Sequence, residues 1–449
     1  MSKQTSESRD GFQSRFGFIL ACIGSAVGMG CIWLFPYRVG QYGGFAFLVP
    51  FLIFVIGLGF CGVIGEMAFG RAMGTGPVGA FKQALERRGK HFGGALGMIS
   101  LIGSIGVTIG YTVICGWILR FLAGSVTGAM FDGDSAAYFA EISGHFGSIG
   151  WHVLAVLITF WIMNAGISSG IERANKIVMP LFFLLFVGLA IFVSTIPGAE
   201  KGYAFLFNPD WSALANPKTW MYALGQAFFS LSLVGCGTIV YGSYLGKDVD
   251  IVFSGVMVSV FELIASILVA LTILPAVFAF GADPQSGPPL IFIVLPSIFA
   301  QIPGGQILAV VFFLAVFFAG ITSLVNLYES PIEALQKQFG MKRARACQIV
   351  FTLSLAAGIF LEDSDVVGQW MDIFTIYITP FAALLAGVLF FWVCGKGFAA
   401  NEINTGSAHR FGSFIEGLGK YVYLHRDLHR SHSRYHFWRH RLNFQLGVR

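Results

Sequence analysis

Two short stretches of this sequence have a composition that an ordinary membrane helix avoids. "GSAVGMG" (24–30) and "SLSLVGCGT" (230–238) each lie in the middle of a long apolar run. Clustered Gly and Ser cost a helix stability unless the backbone is meant to break there. A broken helix in a bilayer leaves N–H and C=O groups free, which is tolerated only where they line a cavity. Amides at a half-helix N-terminus attract a carboxylate, and freed carbonyls attract a cation. The chemistry to expect is therefore binding rather than bond-making. Glycines for close helix packing would explain either cluster alone. Their matching places, in the first span of each five-span half, favour paired breaks around a midplane site.

Other residues with chemical potential are few. Glu262 falls deep in an apolar run, where an ionisable group is costly and functional by default. Glu66, with Arg71 near the end of the second span, reads as a structural tie between nearby helices. His152 is the only histidine inside a span, near one end, with no carboxylate or cysteine partner in view. No nucleophile–base arrangement is legible, and "GKHFGG" around Lys90 is too weak to be a phosphate loop. Without a Walker motif, direct ATP-driven pumping is disfavoured. The seven cysteines lie in or beside apolar stretches and suggest neither a disulfide framework nor a CxxC metal site.

The elements that must position these residues follow from composition. Of 449 residues, 56% are hydrophobic and only 11% charged, against about a quarter charged in soluble domains. Such a chain cannot cover a globular surface with polar groups, so its solvent is lipid and nucleic acid is not an expected partner. Apolar runs able to cross the ~30 Å hydrocarbon core occur at about 16–40, 44–69, 95–124, 150–168, 175–196, 220–243, 252–280, 306–335, 346–361 and 369–394. That predicts ten spans, with repeats at about 16–196 and 220–394. The proline-bearing stretch 286–302 suggests a re-entrant or surface hairpin. The polar first 15 residues predict no cleavable signal peptide.

Basic residues collect in alternate loops, from Arg9 and Arg15 through Lys82, Arg87, Arg88 and Lys90 to Lys337, Lys342, Arg343 and Arg345. Acidic residues occupy the opposite loops. This predicts a multi-pass protein with both termini in the cytoplasm. From 395 the chain turns into a basic tail whose stretch "HRDLHRSHSRYHFWRHR" is dense in histidine and arginine, suited to anionic lipid. Short loops and the lack of an N-x-S/T sequon point to a bacterial inner (cytoplasmic) membrane.

"SRFGFILACIGSAVGMGCIWLFPYRVGQYGGFAFLVPF", "GIERANKIVMP", "FNPDWSALANPKTWMYALGQAFFSLSL" and "AGITS" resemble the bacterial branch of the neurotransmitter:sodium symporter family, in one order from about Arg9 to 394. The resemblance implies an all-α integral membrane protein of the LeuT-type fold. Two inverted five-helix repeats, with helices 1 and 6 broken, would work by alternating access. It also implies a transporter rather than an enzyme.

Carried over by resemblance, one sodium site would use the carbonyls of Gly24, Val27 and Ala319 with the hydroxyls of Thr322 and Ser323. The substrate site would comprise Ser25, Ala26, Gly28, Met29, Gly30, Val107, Tyr111, Phe229, Ser230, Ser232, Gly235, Ser323 and Leu327. Tyr111 would donate to a substrate carboxylate, helped by amides near Gly28 and Gly30. Carbonyls around Ala26, Phe229 and Ser230 would take the ammonium. Monoamine members place an Asp where this chain has Gly28, so an α-amino acid is favoured over an amine. Gly235 stands where many relatives carry Phe or Met, which widens the pocket toward a large hydrophobic or aromatic side chain.

The sequence also departs from the family. At the second sodium site, Ala26 and Ser230 are joined by Cys31 in place of Asn, a poor ligand for a hard cation, and by Glu262 in place of Asn or Asp. Glu262 would complete that site or carry a proton. Of the chloride positions, Gln226 and Ser266 are present but Phe51 replaces Tyr, so chloride independence is expected. Asp372 matches the outer-gate acid while Leu34 replaces its Arg. Arg9 is kept at the inner gate while Lys337 replaces its Asp, leaving Phe12 and Tyr244 for an aromatic closure. The expected activity is sodium-coupled uptake of an α-amino acid. The alternatives are a non-transporting amino-acid sensor and a proton-coupled transporter using Glu262.

Overall fold

The computed structural model describes residues 11–233, 236–285 and 290–421. Among them the regular structure is helical throughout. In a bilayer no water pairs with exposed backbone groups, so a segment this apolar must satisfy them internally. Ten helices form the bundle. They are α1 (Arg15–Ala26 and Gly30–Gln41), α2 (Gly44–Met73), α3 (Gly93–Thr127), α4 (Ile149–Asn164), α5 (Ile167–Ser194), α6 (Pro217–Ser230 and Gly237–Gly242), α7 (Ile251–Ala279), α8 (Gly305–Phe339), α9 (Arg343–Leu361) and α10 (Ser364–Val393).

Seven of these, α2, α3, α5 and α7 to α10, are long and apolar enough to cross a membrane alone, and the two arms of α1 make an eighth across a 43° bend. The other two are short for a reason. Helix α4 has 16 residues, because Gly166 turns the chain at φ 97° and a wide π turn opens α5 at Ile167–Glu172. The expected boundaries at 168 and 175 thus both move toward the N-terminus, to 164 and 167. Helix α6 is broken in its middle. The stretch expected as a hairpin carries the short apolar helix Leu290–Gln301, seated against α8.

The long helices α3 and α8 pack along each other and form the centre. They bury 72% and 67% of their apolar windows, whereas α5 buries 28% and gives the rest to lipid. Short helices brace the bundle. Pro77–Glu86 lies on α3, and Ala199–Phe207 on α7.

The region from 395 does not begin as a free tail. Phe398–Asn404 folds as a helix against α2, and residues 412–421 are helical as well. Arg71, with its side chain 1% exposed, pairs with Glu402 at 2.6 Å. Its guanidinium also donates to the carbonyls of Val249, Glu402 and Thr405. Glu416 accepts from the amides of Gly397 and Ala400. The histidine- and arginine-rich stretch itself lies outside the described residues, as do Arg9 and Gly235.

Candidate functional site

The break in α1 begins where Ala26 ends the first arm and Val27 leaves helical geometry at φ −79°, ψ 81°. Gly28 cannot be replaced by a larger residue without movement. A Cβ there would stand 2.2 Å from Ser323 Oγ and 2.9 Å from the Tyr111 hydroxyl. The break in α6 follows Ser230, and the flanking Ser232 and Cys236 take left-handed backbone at φ 54° and 56°. The two breaks are tied to each other. Ser25 Oγ donates to Ser232 Oγ at 2.9 Å, and Ser232 Oγ donates to the Ser25 carbonyl at 2.5 Å.

Between these breaks, α3 and α8 close one cavity. Residues Ser25, Ala26, Gly28, Met29 and Gly30 of α1 line one side, with Phe229 and Ser232 from α6. Val107 and Tyr111 face them from α3, and Ser323, Asn326 and Leu327 from α8. Eleven of the residues carried over as a substrate site are therefore brought together. Ser230 is fully buried behind them, where its hydroxyl accepts from Gln226 Nε2 at 2.9 Å. The Met29 amide donates to the Tyr111 hydroxyl at 3.0 Å. Tyr111 thus keeps its own proton to offer into the cavity. Asn326 was missed in the sequence, because one polar residue among apolar ones on a long helix carries no signal by itself.

The oxygens suited to a bare cation lie beside this cavity. Ser323 Oγ reaches the carbonyls of Gly24 and Ser25 at 3.3 and 3.1 Å. Thr322 Oγ1 sits 3.1 Å from the carbonyls of Ala319 and Phe318. Val27 supplies the freed turn between them. These are neutral, hard oxygens, and among the described residues no cluster of His, Cys, Asp or Glu competes as a metal site. The donor set fits Na⁺ by ligand hardness. Asn175 of α5 stands against Gly24, with Oδ1 unpaired among the described residues.

The family model for the sodium:neurotransmitter symporters matches residues 9–135 and 134–422. The chain belongs to the sodium:neurotransmitter symporter family. An uncharacterised sodium-dependent transporter of Haemophilus influenzae is 33% identical over 369 residues, covering 79% of each chain. The uncharacterised sodium-dependent transporter YhdH of Bacillus subtilis is 33% identical over 410 residues, covering 88% of this chain and 90% of its own. Among solved structures, MhsT in complex with L-phenylalanine matches at a TM-score of 0.84 and 33% identity, over 92% of this chain and 97% of that one. This family member therefore has the LeuT-type fold, and its family consists of sodium-dependent transporters rather than enzymes.

Where the resemblance implies a second ion site, Cys31 and Ser230 face Glu262, which is fully buried. Glu262 Oε1 accepts from Ser266 at 2.6 Å, and Oε2 has no hydrogen-bond partner among the described residues. The thiol of Cys31 turns away to the Gly28 carbonyl, 3.1 Å off, which suits its weakness as a ligand. Gln226 Nε2 donates to the Gly30 carbonyl at 2.8 Å. Phe51 brings no hydroxyl and packs on Phe35 and Phe47.

The residues expected at the gates have the following surroundings. Phe12 meets the rings of Phe18 and Tyr241, with centroids 5.3 and 5.5 Å away. Tyr244, just beyond the second arm of α6, donates to Glu329 Oε1 at 2.6 Å. Arg343 grips the same carboxylate with two bonds of 2.8 and 2.7 Å. Lys337 and Asp372 are both exposed. One turn beyond Leu34, the Arg38 guanidinium lies 3.9 Å from the Tyr222 ring centroid, a cation–π contact linking α1 to α6.

One polar tie differs from the sequence reading, and one agrees with it. His152 does have a carboxylate partner, Glu362 at 3.2 Å, and its other ring nitrogen meets Thr112 Oγ1 at 3.0 Å. The partner escaped notice because it lies at the end of α9, 210 residues away. Glu66 binds the Thr238 hydroxyl, tying α2 to α6, while Arg71 holds the segment after α10.

Proposed function

We propose that this chain is a sodium-coupled symporter that imports a large hydrophobic or aromatic α-amino acid by alternating access. The observation that carries this reading is the cavity between the two helix breaks. One end offers the Tyr111 hydroxyl and free backbone groups of α1, with no acid at Gly28. Those groups suit a zwitterion whose carboxylate the protein need not replace. Val107, Phe229 and Leu327 give the side chain apolar walls. The phenylalanine held by the similar MhsT is in keeping with that class. Sodium would sit at Gly24, Val27, Ala319, Thr322 and Ser323, and a second ion at Ala26, Cys31, Ser230 and Glu262. Chloride is not required, because Glu262 supplies the negative charge. The protein would lie in a bacterial inner membrane with both termini cytoplasmic.

A second reading, proton coupling through Glu262, is favoured by its buried and unpaired Oε2. Uptake of labelled amino acids into proteoliposomes, with external Na⁺ or choline, tests both. Accumulation that needs Na⁺ supports the symporter. Accumulation driven by a pH gradient without Na⁺ moves the coupling to protons, and Na⁺-dependent binding without accumulation indicates a sensor.

A further inference from the structure

The cavity holds one polar side chain that a purely hydrocarbon substrate would leave without a partner. Asn326 lies one helical turn from Ser323 on α8 and next to Leu327, only 2% exposed, and lines the cavity. Its Oδ1 occupies the space that a Cβ on Gly237 would need, so the amide is wedged against the start of the second arm of α6. Its Nδ2 has no hydrogen-bond partner among the described residues. The Tyr241 hydroxyl faces it from α6 close enough to interact, yet neither atom completes a hydrogen bond of normal geometry among the described residues. A carboxamide brings two donors and an acceptor, and burying these unmet is unfavourable.

We infer that Asn326 reads the far end of the substrate side chain. This rests on the reading that an α-amino acid occupies the cavity, and it narrows the class to aromatic residues ending in O–H or N–H, as in tyrosine and tryptophan. The side chains of Val107, Phe229 and Leu327 are apolar and offer no hydrogen bond, so the amide of Asn326 is what a phenol or indole group can meet at that end. Among the described residues no Asp, Glu, Lys or Arg lines the cavity, so a charged side chain would be buried without a counter-ion and is rejected. A site with a buried hydrogen-bonding group discriminates strongly against the analogue that lacks the matching atom. The preference for tyrosine or tryptophan over phenylalanine should be on the order of 10-fold or more.

The test is competition of L-tyrosine, L-tryptophan, L-phenylalanine and L-leucine against a labelled tracer on the purified full-length protein in Na⁺. The inference expects tyrosine or tryptophan to bind on the order of 10-fold tighter than phenylalanine. Asn326→Leu should bring phenylalanine level or ahead. Phenylalanine binding as tightly as both in the wild-type protein would overturn it, a comparison that stands even if the variant does not fold. An unchanged ratio in a folded Asn326→Leu protein would also overturn it, assigning Asn326 to packing against Tyr241. Absence of Na⁺-dependent binding of all four would remove the amino-acid reading itself, and this inference with it.

Discussion

The Tyr111 hydroxyl oxygen lies 3.0 Å from the Met29 amide, so a side chain from α3 completes the free end of the second arm of α1. That bond fixes the hydroxyl as an acceptor on the protein side and aims its proton at the cavity. Tyr111→Phe keeps the ring and removes both roles. Hydrogen bonds to charged groups contribute about 1.5–3 kcal/mol, so amino-acid affinity should fall roughly 10- to 150-fold. Equilibrium binding on folded protein checks this, and an unchanged affinity would place the carboxylate elsewhere.

In the proposed sodium site, Thr322 contributes a hydroxyl whose proton is directed to carbonyls of its own helix. Thr322→Val preserves the shape and deletes the oxygen. The sodium concentration for half-maximal substrate binding should rise on the order of 10-fold, the scale of one lost polar contact. A sodium titration that overlays the wild type would refute the site.

Ser266 lies 2.6 Å from Glu262, and Phe51 contributes no hydroxyl of its own to an anion site. Replacing chloride by gluconate should therefore leave uptake unchanged. Glu262→Gln removes the fixed charge and should reduce uptake strongly in gluconate. A large loss of wild-type uptake on removing chloride would show that the carboxylate does not fill the anion's role.

Glu329, with no side-chain exposure, is paired with Arg343 at 15%. Removing one member strands the other in a dry interior, which costs about 3–5 kcal/mol. Arg343→Met should thus lower the thermal midpoint in detergent clearly. The Glu329→Leu/Arg343→Met double variant should recover much of the loss, whereas additive losses would mean the pair is not coupled.

How much was legible depended on whether a feature announced itself within one stretch of chain. The breaks at 24–30 and 230–238 did, because Gly and Ser in an apolar run conflict with helix propensity locally. The long apolar helices did too, since the bilayer dictates their length. The ties of His152 to Glu362, Arg343 to Glu329 and Arg71 to Glu402 did not. Each joins separate parts of the chain, and only the packed bundle shows that the arginine opening α9 and a glutamate within α8 share one spot. Asn326 was hidden for a related reason, since its importance lies in the partner it lacks.

The guanidinium of Arg71, clasped by Glu402 and by the carbonyls of Val249 and Thr405, bears on how the protein can be handled at the bench. A version cut at residue 394 would lose three of its four bonds and leave a cation sealed inside the second helix. Purification tags and fluorescent fusions therefore belong beyond residue 421, and a shortened protein that fails to express would be reporting a torn clasp rather than a missing function.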